Sequence, residues 1–278
     1  MTYFPNTTYN KSKIASLDGS SDYMLITAAE IKTAATSTNN GGDDASELNP
    51  TKDESFTVSA WSRLDATNTG DCIVSKCNLG SAEDGWMVGN SGTYVMQFSI
   101  DGASGTAYRR AHNLNDFEYG WKHNVFVYDH TIAGGSGNTA QTASCLLYLN
   151  GSDFSSTGAT AAKGEIQVVG TDAGSFNIGR SNFSAFYGNG YWGGYLSEVS
   201  YWNAALSAEE IQELFNGGRP SDLKLHTKVS NLKGWWLGGD GTVSFSSNYT
   251  VQDSSGSGFH MTSAGMADGS IINGTVAV

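Results

Sequence analysis

Six short segments of this chain alternate apolar and polar residues with a period of two: "SFTVSAWSRL" (55–64), "YVMQFSI" (94–100), "NVFVYDH" (124–130), "SCLLYLNG" (144–151), "SFNIGR" (175–180) and "GYLSEVSYW" (194–202). Successive side chains of a strand point to opposite faces, so this period describes strands with one face buried. Clusters of Gly, Asn and Asp bound each segment, as expected for strands joined by tight turns. "LNGSDF" reads as the turn of a hairpin. With 35 Gly against 3 Pro, positive φ is available at the turns and few prolines interrupt the strands. The expected fold is all-β, a sandwich or barrel, in one large domain or two smaller ones for 278 residues.

One helix stands out from this pattern. Ser207 and Glu210 form an S-x-x-E capping box, and Glu209 and Glu210 lie at the positive end of the helix dipole. Leu206, Ile211, Leu214 and Phe215 share one stripe, and "NGG" at 216–218 ends the helix, which is expected over about 207–216. Residues 27–54 read as a long polar insertion with a short helix around "AAEIKTAA". Residues 1–13 and 263–278 read as an arm and a tail that could pair with neighbouring subunits.

A net charge of −12 repels phosphate backbones and anionic headgroups, which argues against nucleic-acid and membrane partners. No stretch is long and apolar enough for a transmembrane helix. The opening "MTYFPNTTYNKSK" has no apolar core, so no secretory signal is expected. Cys72, Cys77 and Cys145 cannot all pair within the chain, and buried thiols are expected.

The order "FTVSAWSRLD", "IVSKCN", "GWMVG", "GWKHNVFVYD", "LLYLNG", "FNIGRS", "GYLSEVSYWNAALSAEEIQELFNGG" resembles the laminin-G-like branch of the concanavalin A-like lectin/glucanase superfamily. The resemblance covers about residues 55–218 and implies a jelly-roll β-sandwich whose single helix caps the sheets. Ser197 stands where that family often has Asp, and Lys122 where it often has His. Family members usually begin with a segment like "LKGWWLGGDG…VQDSSGSGFHMT", yet here it comes last (232–262), while "IASLDGSSDYMLI" (14–26) comes first. That order resembles a circular permutation and implies one domain over 14–262, with Ile14–Leu17 close to the chain after Met261. The layout also resembles virion proteins of tailed bacteriophages. It implies a non-catalytic structural or adhesion protein on a virion surface, assembled with other subunits through its arms. The alternative is a carbohydrate-binding lectin module of a bacterial surface or secreted protein.

Catalysis finds little support in the residues. A retaining glycoside hydrolase needs two carboxylates about 5–5.5 Å apart, which a strand supplies as E-x-D-x-E, and no such run occurs. Glu198 stands alone and is expected to make a structural hydrogen bond or ion pair near the helix. His112, His123, His130, His226 and His260 show no metal-ligand spacing, and His123 is expected to be a satisfied core histidine. Calcium is the cofactor the resemblance admits, with Asp18, Asp22 and Asp253 as weak candidate ligands and Asp43 and Asp44 in a further acidic turn. For glycans, "GRSNFSAFYGNGYWGG" (179–194) offers Phe183, Phe186, Tyr187, Tyr191 and Trp192 among Asn and Gly. Tyr191 and Trp192 stand where the family places an aromatic plug. Of Trp235 and Trp236, which alternate faces, one is expected in the core.

Overall fold

The structure is a computed structural model. It describes residues 13–38, 48, 50, 54–65, 72–77, 85–90, 95–100, 108–113, 120–132, 144–154, 159–160, 174–181, 190–238 and 245–278. Its strands are β1 (Lys13–Asp18), β2 (Tyr23–Ile26), β3 (Phe56–Leu64), β4 (Cys72–Cys77), β5 (Gly85–Asn90), β6 (Val95–Ile100), β7 (Tyr108–Asn113), β8 (Lys122–Tyr128) and β9 (Cys145–Leu149). They continue as β10 (Ser152–Asp153), β11 (Ala159–Thr160), β12 (Ser175–Ile178), β13 (Gly193–Trp202), β14 (Leu232–Trp236), β15 (Thr250–Val251), β16 (Met261–Ala264) and β17 (Ile271–Asn273). The helices are α1 (Ala28–Thr38) and α2 (Ala208–Phe215).

Every pairing is antiparallel, and the strands form two sheets. The first runs β10-β9-β8-β3-β13-β1-β17, with β14 paired along the other half of β13; the second runs β11-β7-β6-β5-β4-β12-β2-β16-β15. The six alternating segments match β3, β6, β8, β9, β12 and β13. The hairpin between β9 and β10 turns on Asn150 (φ 50) and Gly151 (φ 76), the two positive-φ residues of a type I′ turn.

The inner faces of the sheets meet in one aromatic core. Phe56 lies 5.1 Å from Trp86, Phe176 lies 5.1 Å from Trp236, and Tyr201 stacks on both Phe56 and Trp86. A second apolar layer lies outside the first sheet, where Val125, Val127, Trp202 and Trp235 meet Ile211 and Leu214 of α2. Ser207 and Glu210 make the expected capping box, and Asn216 closes the helix at φ 48. The helix therefore covers an apolar sheet face that would otherwise be wet, and burying each Leu or Ile there contributes about 1.5–3 kcal/mol. Trp235 and Trp236 alternate faces as expected: Trp236 enters the main core, and Trp235 is buried in the second apolar layer under α2.

The insertion at 27–54 opens with the expected short helix: α1 is capped reciprocally by Thr27 and Glu30, and its Ile31 reaches the main core. Two expectations need correction. The tail at 263–278 is not a free arm. Its β16 pairs with β2, its β17 pairs with β1, and Val276 is buried against Ile14, Trp61 and Trp121. Apolar residues in that tail thus have partners within the chain, which a boundary at 262 overlooks. Of the N-terminal arm, Lys13 already belongs to β1, and residues 1–12 lie outside the described residues. Lys13–Ala15 face Ile271–Asn273, so the closeness expected of the two ends is present.

Candidate functional site

The two outer faces of the sandwich are not alike. That of the first sheet is covered by α2, by the segment that follows it, and by the C-terminal tail. In the second sheet the alternation along β2 sends Met24 and Ile26 into the core and turns Tyr23 and Leu25 outward. Along β12, Phe176 and Ile178 enter the core and Asn177 turns outward, in register with Ser75 and Leu25. Asn177 is 1% exposed, and its Oδ1 has no hydrogen-bond donor.

Past β12 the chain narrows into a neck. Ser181 N–H donates to Gly190 C=O and Trp192 N–H donates to Gly179 C=O, so Arg180 and Tyr191 form a bridge. Gly179 (φ 84) and Gly190 (φ 67) supply the positive φ of this neck, and a Cβ on Gly190 would meet the Ser181 carbonyl oxygen at 2.9 Å. Ser75 Oγ donates to Arg180 C=O at 2.7 Å, which pins the neck to β4. The neck sets Arg180 beside two half-buried rings. Its guanidinium carbon lies 4.6 Å from the Tyr23 ring centroid and 5.5 Å from that of Tyr191, and the two rings are 6.0 Å apart. Such cation–π contacts are each worth about 0.5–1 kcal/mol at exposed sites.

Of the residues expected to bind glycan, Tyr191 belongs to this cluster. Trp192 does not: it is 0% exposed and packs in the main core, so its ring cannot meet a ligand. Phe183, Phe186 and Tyr187 lie outside the described residues. Sequence reasoning missed Tyr23 and Arg180. The alternation in "DYMLI" could have turned Tyr23 outward, but nothing local says that β2 lies beside β12.

Two of the calcium candidates, Asp18 and Asp253, are engaged by protein hydrogen-bond donors. Asp18 accepts from the N–H groups of Ser20, Ser21 and Asp22 and from both serine hydroxyls, at 2.7–3.0 Å. Partial burial opposes its ionisation, yet those donors hold its carboxyl well below the usual carboxylate range. Asp22 is raised by burial and by the neighbouring Asp18 charge. Asp253 accepts from Trp235, Ser255 and Phe259 N–H and from Ser255 Oγ. Ca²⁺ takes six to eight oxygen ligands, and the Asp18 and Asp253 carboxylates already accept several protein hydrogen bonds each, whereas Asp22 accepts one from Asp18 N–H at 3.3 Å. Among the described residues no three His, Cys, Asp or Glu side chains gather as a metal site. Asp43 and Asp44 lie outside the described residues.

Glu198 and His123 are both buried on the covered side. Glu198 occupies a β-bulge in β13 at φ 53 and accepts a 2.8 Å hydrogen bond from Trp235 Nε1. His123 Nε2 lies 2.8 Å from Ser59 Oγ, but its Nδ1 has no partner, so the ring is only half satisfied. Burial pulls its pKa down to about 3.

A profile of the concanavalin A-like lectin/glucanases superfamily matches residues 18–212. The chain belongs to that superfamily. Its sandwich is similar to a candidate carbohydrate-binding protein from Bacteroides ovatus, at 16% identity and a TM-score of 0.55 over 97% of this chain. The chain spans 61% of the length of that structure. It is also similar to the CBM40 module of a Ruminococcus gnavus IT-sialidase bound to α2,3-sialyllactose, at 12% identity and a TM-score of 0.51, covering 74% of this chain and 97% of the module. No curated protein sequence matches the chain. Among the described residues no helix is long and apolar enough to cross a membrane.

Proposed function

We propose that this superfamily sandwich is a non-catalytic carbohydrate-binding module. It binds glycans at the neck past β12, where Tyr23, Arg180 and Tyr191 are only half buried. The observation that carries this reading is the Tyr23–Arg180–Tyr191 cluster, which sets ring faces and hydrogen-bond donors together on the side that α2 does not cover. Sugars present apolar C–H faces and polar rims, and aromatic rings next to polar donors match both. The aromatic residues Phe183, Phe186 and Tyr187 follow directly in sequence. Support at the level of the fold comes from the carbohydrate-binding neighbours. A module of this kind belongs at a cell surface or outside the cell.

The order of motifs favours a second placement, on the surface of a phage particle as a circularly permuted laminin-G-like protein. The adjacency of β1 and β17 is what permutation requires. The C-terminal arm proposed for subunit contacts is, however, spent on the chain's own sheet, which leaves residues 1–12 for that role. The two placements are not exclusive, since an attachment protein can bind glycans.

The test is a glycan-array screen of the purified chain, in millimolar calcium and again in chelator. Bound glycans should be lost on Tyr23→Ala, on Phe186→Ala and on Tyr187→Ala, and should persist in chelator, since protein donors already engage Asp18 and Asp253. An array blank in both conditions would overturn the carbohydrate reading and leave the particle scaffold in front.

A further inference from the structure

Arg180 is one of two arginines among the described residues that lie over a pair of aromatic rings; the other, Arg63, lies 4.1 Å from the Tyr195 ring and 5.6 Å from that of Trp121, on the first sheet. Acidic residues outnumber basic ones 27 to 15, so carboxylates to pair with are plentiful. The Lys or Arg ion pair among the described residues nevertheless lies elsewhere, at Glu210–Lys228 (3.4 Å). Arg180 instead lies against two tyrosine rings, with its own carbonyl tied to Ser75. The two rings are tilted 58° to one another, so the guanidinium does not lie flat on both, and ring contacts do not consume the five N–H donors of its planar fork. The tyrosines also restrict the orientation of the group, so less conformational entropy is lost when it binds. The natural complement of such a fork is a carboxylate, which takes two parallel N–H···O bonds.

Resting on the carbohydrate-binding reading, we propose that Arg180 anchors a carboxylate of the bound sugar, so that the ligand is an acidic glycan. Either a uronate or a sialic acid supplies that group. Densely sulfated or phosphorylated polymers suit the site less well. One guanidinium balances a single negative charge, while a net charge of −12 repels a polyanion at longer range.

The test is calorimetric titration of the wild type, Arg180→Lys and Arg180→Gln with four probes: α2,3-sialyllactose, a neutral oligosaccharide carrying a single terminal uronate, lactose and a sulfated galactan oligomer. Circular dichroism and melting temperature serve as folding controls. At least one carboxylated probe should bind, and lactose should bind at least about tenfold more weakly, the loss expected for one charge-assisted pair. Arg180→Lys keeps the charge but loses the fork and should weaken the acidic sugar about tenfold, with Arg180→Gln weaker still. Comparing the sialylated and uronate arms identifies the source of the carboxylate. The methyl ester of whichever sugar binds should lose the same factor against unaltered protein, which keeps the test decisive if the variants fold poorly.

Equal binding of lactose, full affinity in Arg180→Gln, or a preference for the sulfated probe would overturn the acidic-ligand inference and leave the carbohydrate reading standing. Binding of none of the four probes, together with a blank array, would remove both.

Discussion

His123 makes the stability of this fold depend on pH in a way that can be worked out beforehand. Its ring is fully buried, and burial takes its pKa from 6.5 to about 3. The folded state therefore keeps a neutral imidazole where the unfolded chain would protonate it. Between those two values the unfolded state binds the extra proton, so stability falls as pH falls. The contribution is complete above the unfolded value and exhausted once pH drops below the folded one. At about pH 4.5 the unfolded chain has gained RT ln(1 + 10²), about 2.7 kcal/mol, and at about pH 7.5 almost nothing. His123→Gln places an amide near Ser59 Oγ without titrating. Carboxylates and the other histidines are common to both proteins and largely cancel in the difference. Urea denaturation at the two pH values should show the wild type losing about 2–3 kcal/mol more than the variant, or about 5–10 °C in Tm for a chain of this size. A difference below about 0.5 kcal/mol would refute the neutral buried ring, since that is the scatter of additivity itself.

Substitutions at two further positions, and one deletion, separate structural from binding roles. Glu198→Ala leaves the buried Trp235 indole N–H without that acceptor and should destabilise by about 1–3 kcal/mol, while Glu198→Gln, which keeps an acceptor oxygen, should lose less; chemical denaturation reads both, and glycan affinity should not move. Ser207→Ala removes the capping box of α2 and should lower stability by about 1 kcal/mol in the same assay. Deleting residues 275–278 removes Val276 from its contact with Ile14, Trp61 and Trp121 and should reduce stability by at least about 1.5–3 kcal/mol, with increased dye binding to the exposed patch. An unchanged melting curve after that deletion would mean that the tail is a free arm after all.

The strands and α2 were legible because their signals are local. A period of two over six to ten residues, an S-x-x-E box and an "NGG" stop each act within a turn or a strand length. The C-terminal tail was not legible, because β17 is only three residues long and finds its partner, β1, across nearly the whole chain. The candidate site failed in the same way. Tyr191 was visible as an aromatic in a polar loop, but the residues that give it meaning, Tyr23 and Arg180, meet only because β2 and β12 are neighbours in the second sheet. Trp192 was legible as the aromatic plug that the resemblance implies, and only its place among the glycan candidates is corrected. It sits one residue from Tyr191, and the pleat that leaves Tyr191 half exposed turns Trp192 into the core.

The covered side of the sandwich holds a trap for residue-type reasoning. Ser59, His123 and Glu198 line one cavity under α2, a set of side chains that could be taken for a hydrolytic triad. Geometry decides against it. In a triad the carboxylate holds the imidazole through Nδ1–H, yet His123 Nδ1 has no partner and Glu198 accepts from Trp235 instead. A general base must titrate near its working pH, whereas burial puts His123 at about 3. The cavity is about 10 Å³, room for one water and not for a sugar or an acyl group. These polar groups lie where a β-bulge and a capping helix meet, and their chemistry is that of hydrogen bonds closed off from solvent. The same cover that silences them lies on the side of the sandwich away from Tyr23, Arg180 and Tyr191, where the proposed glycan contact is placed.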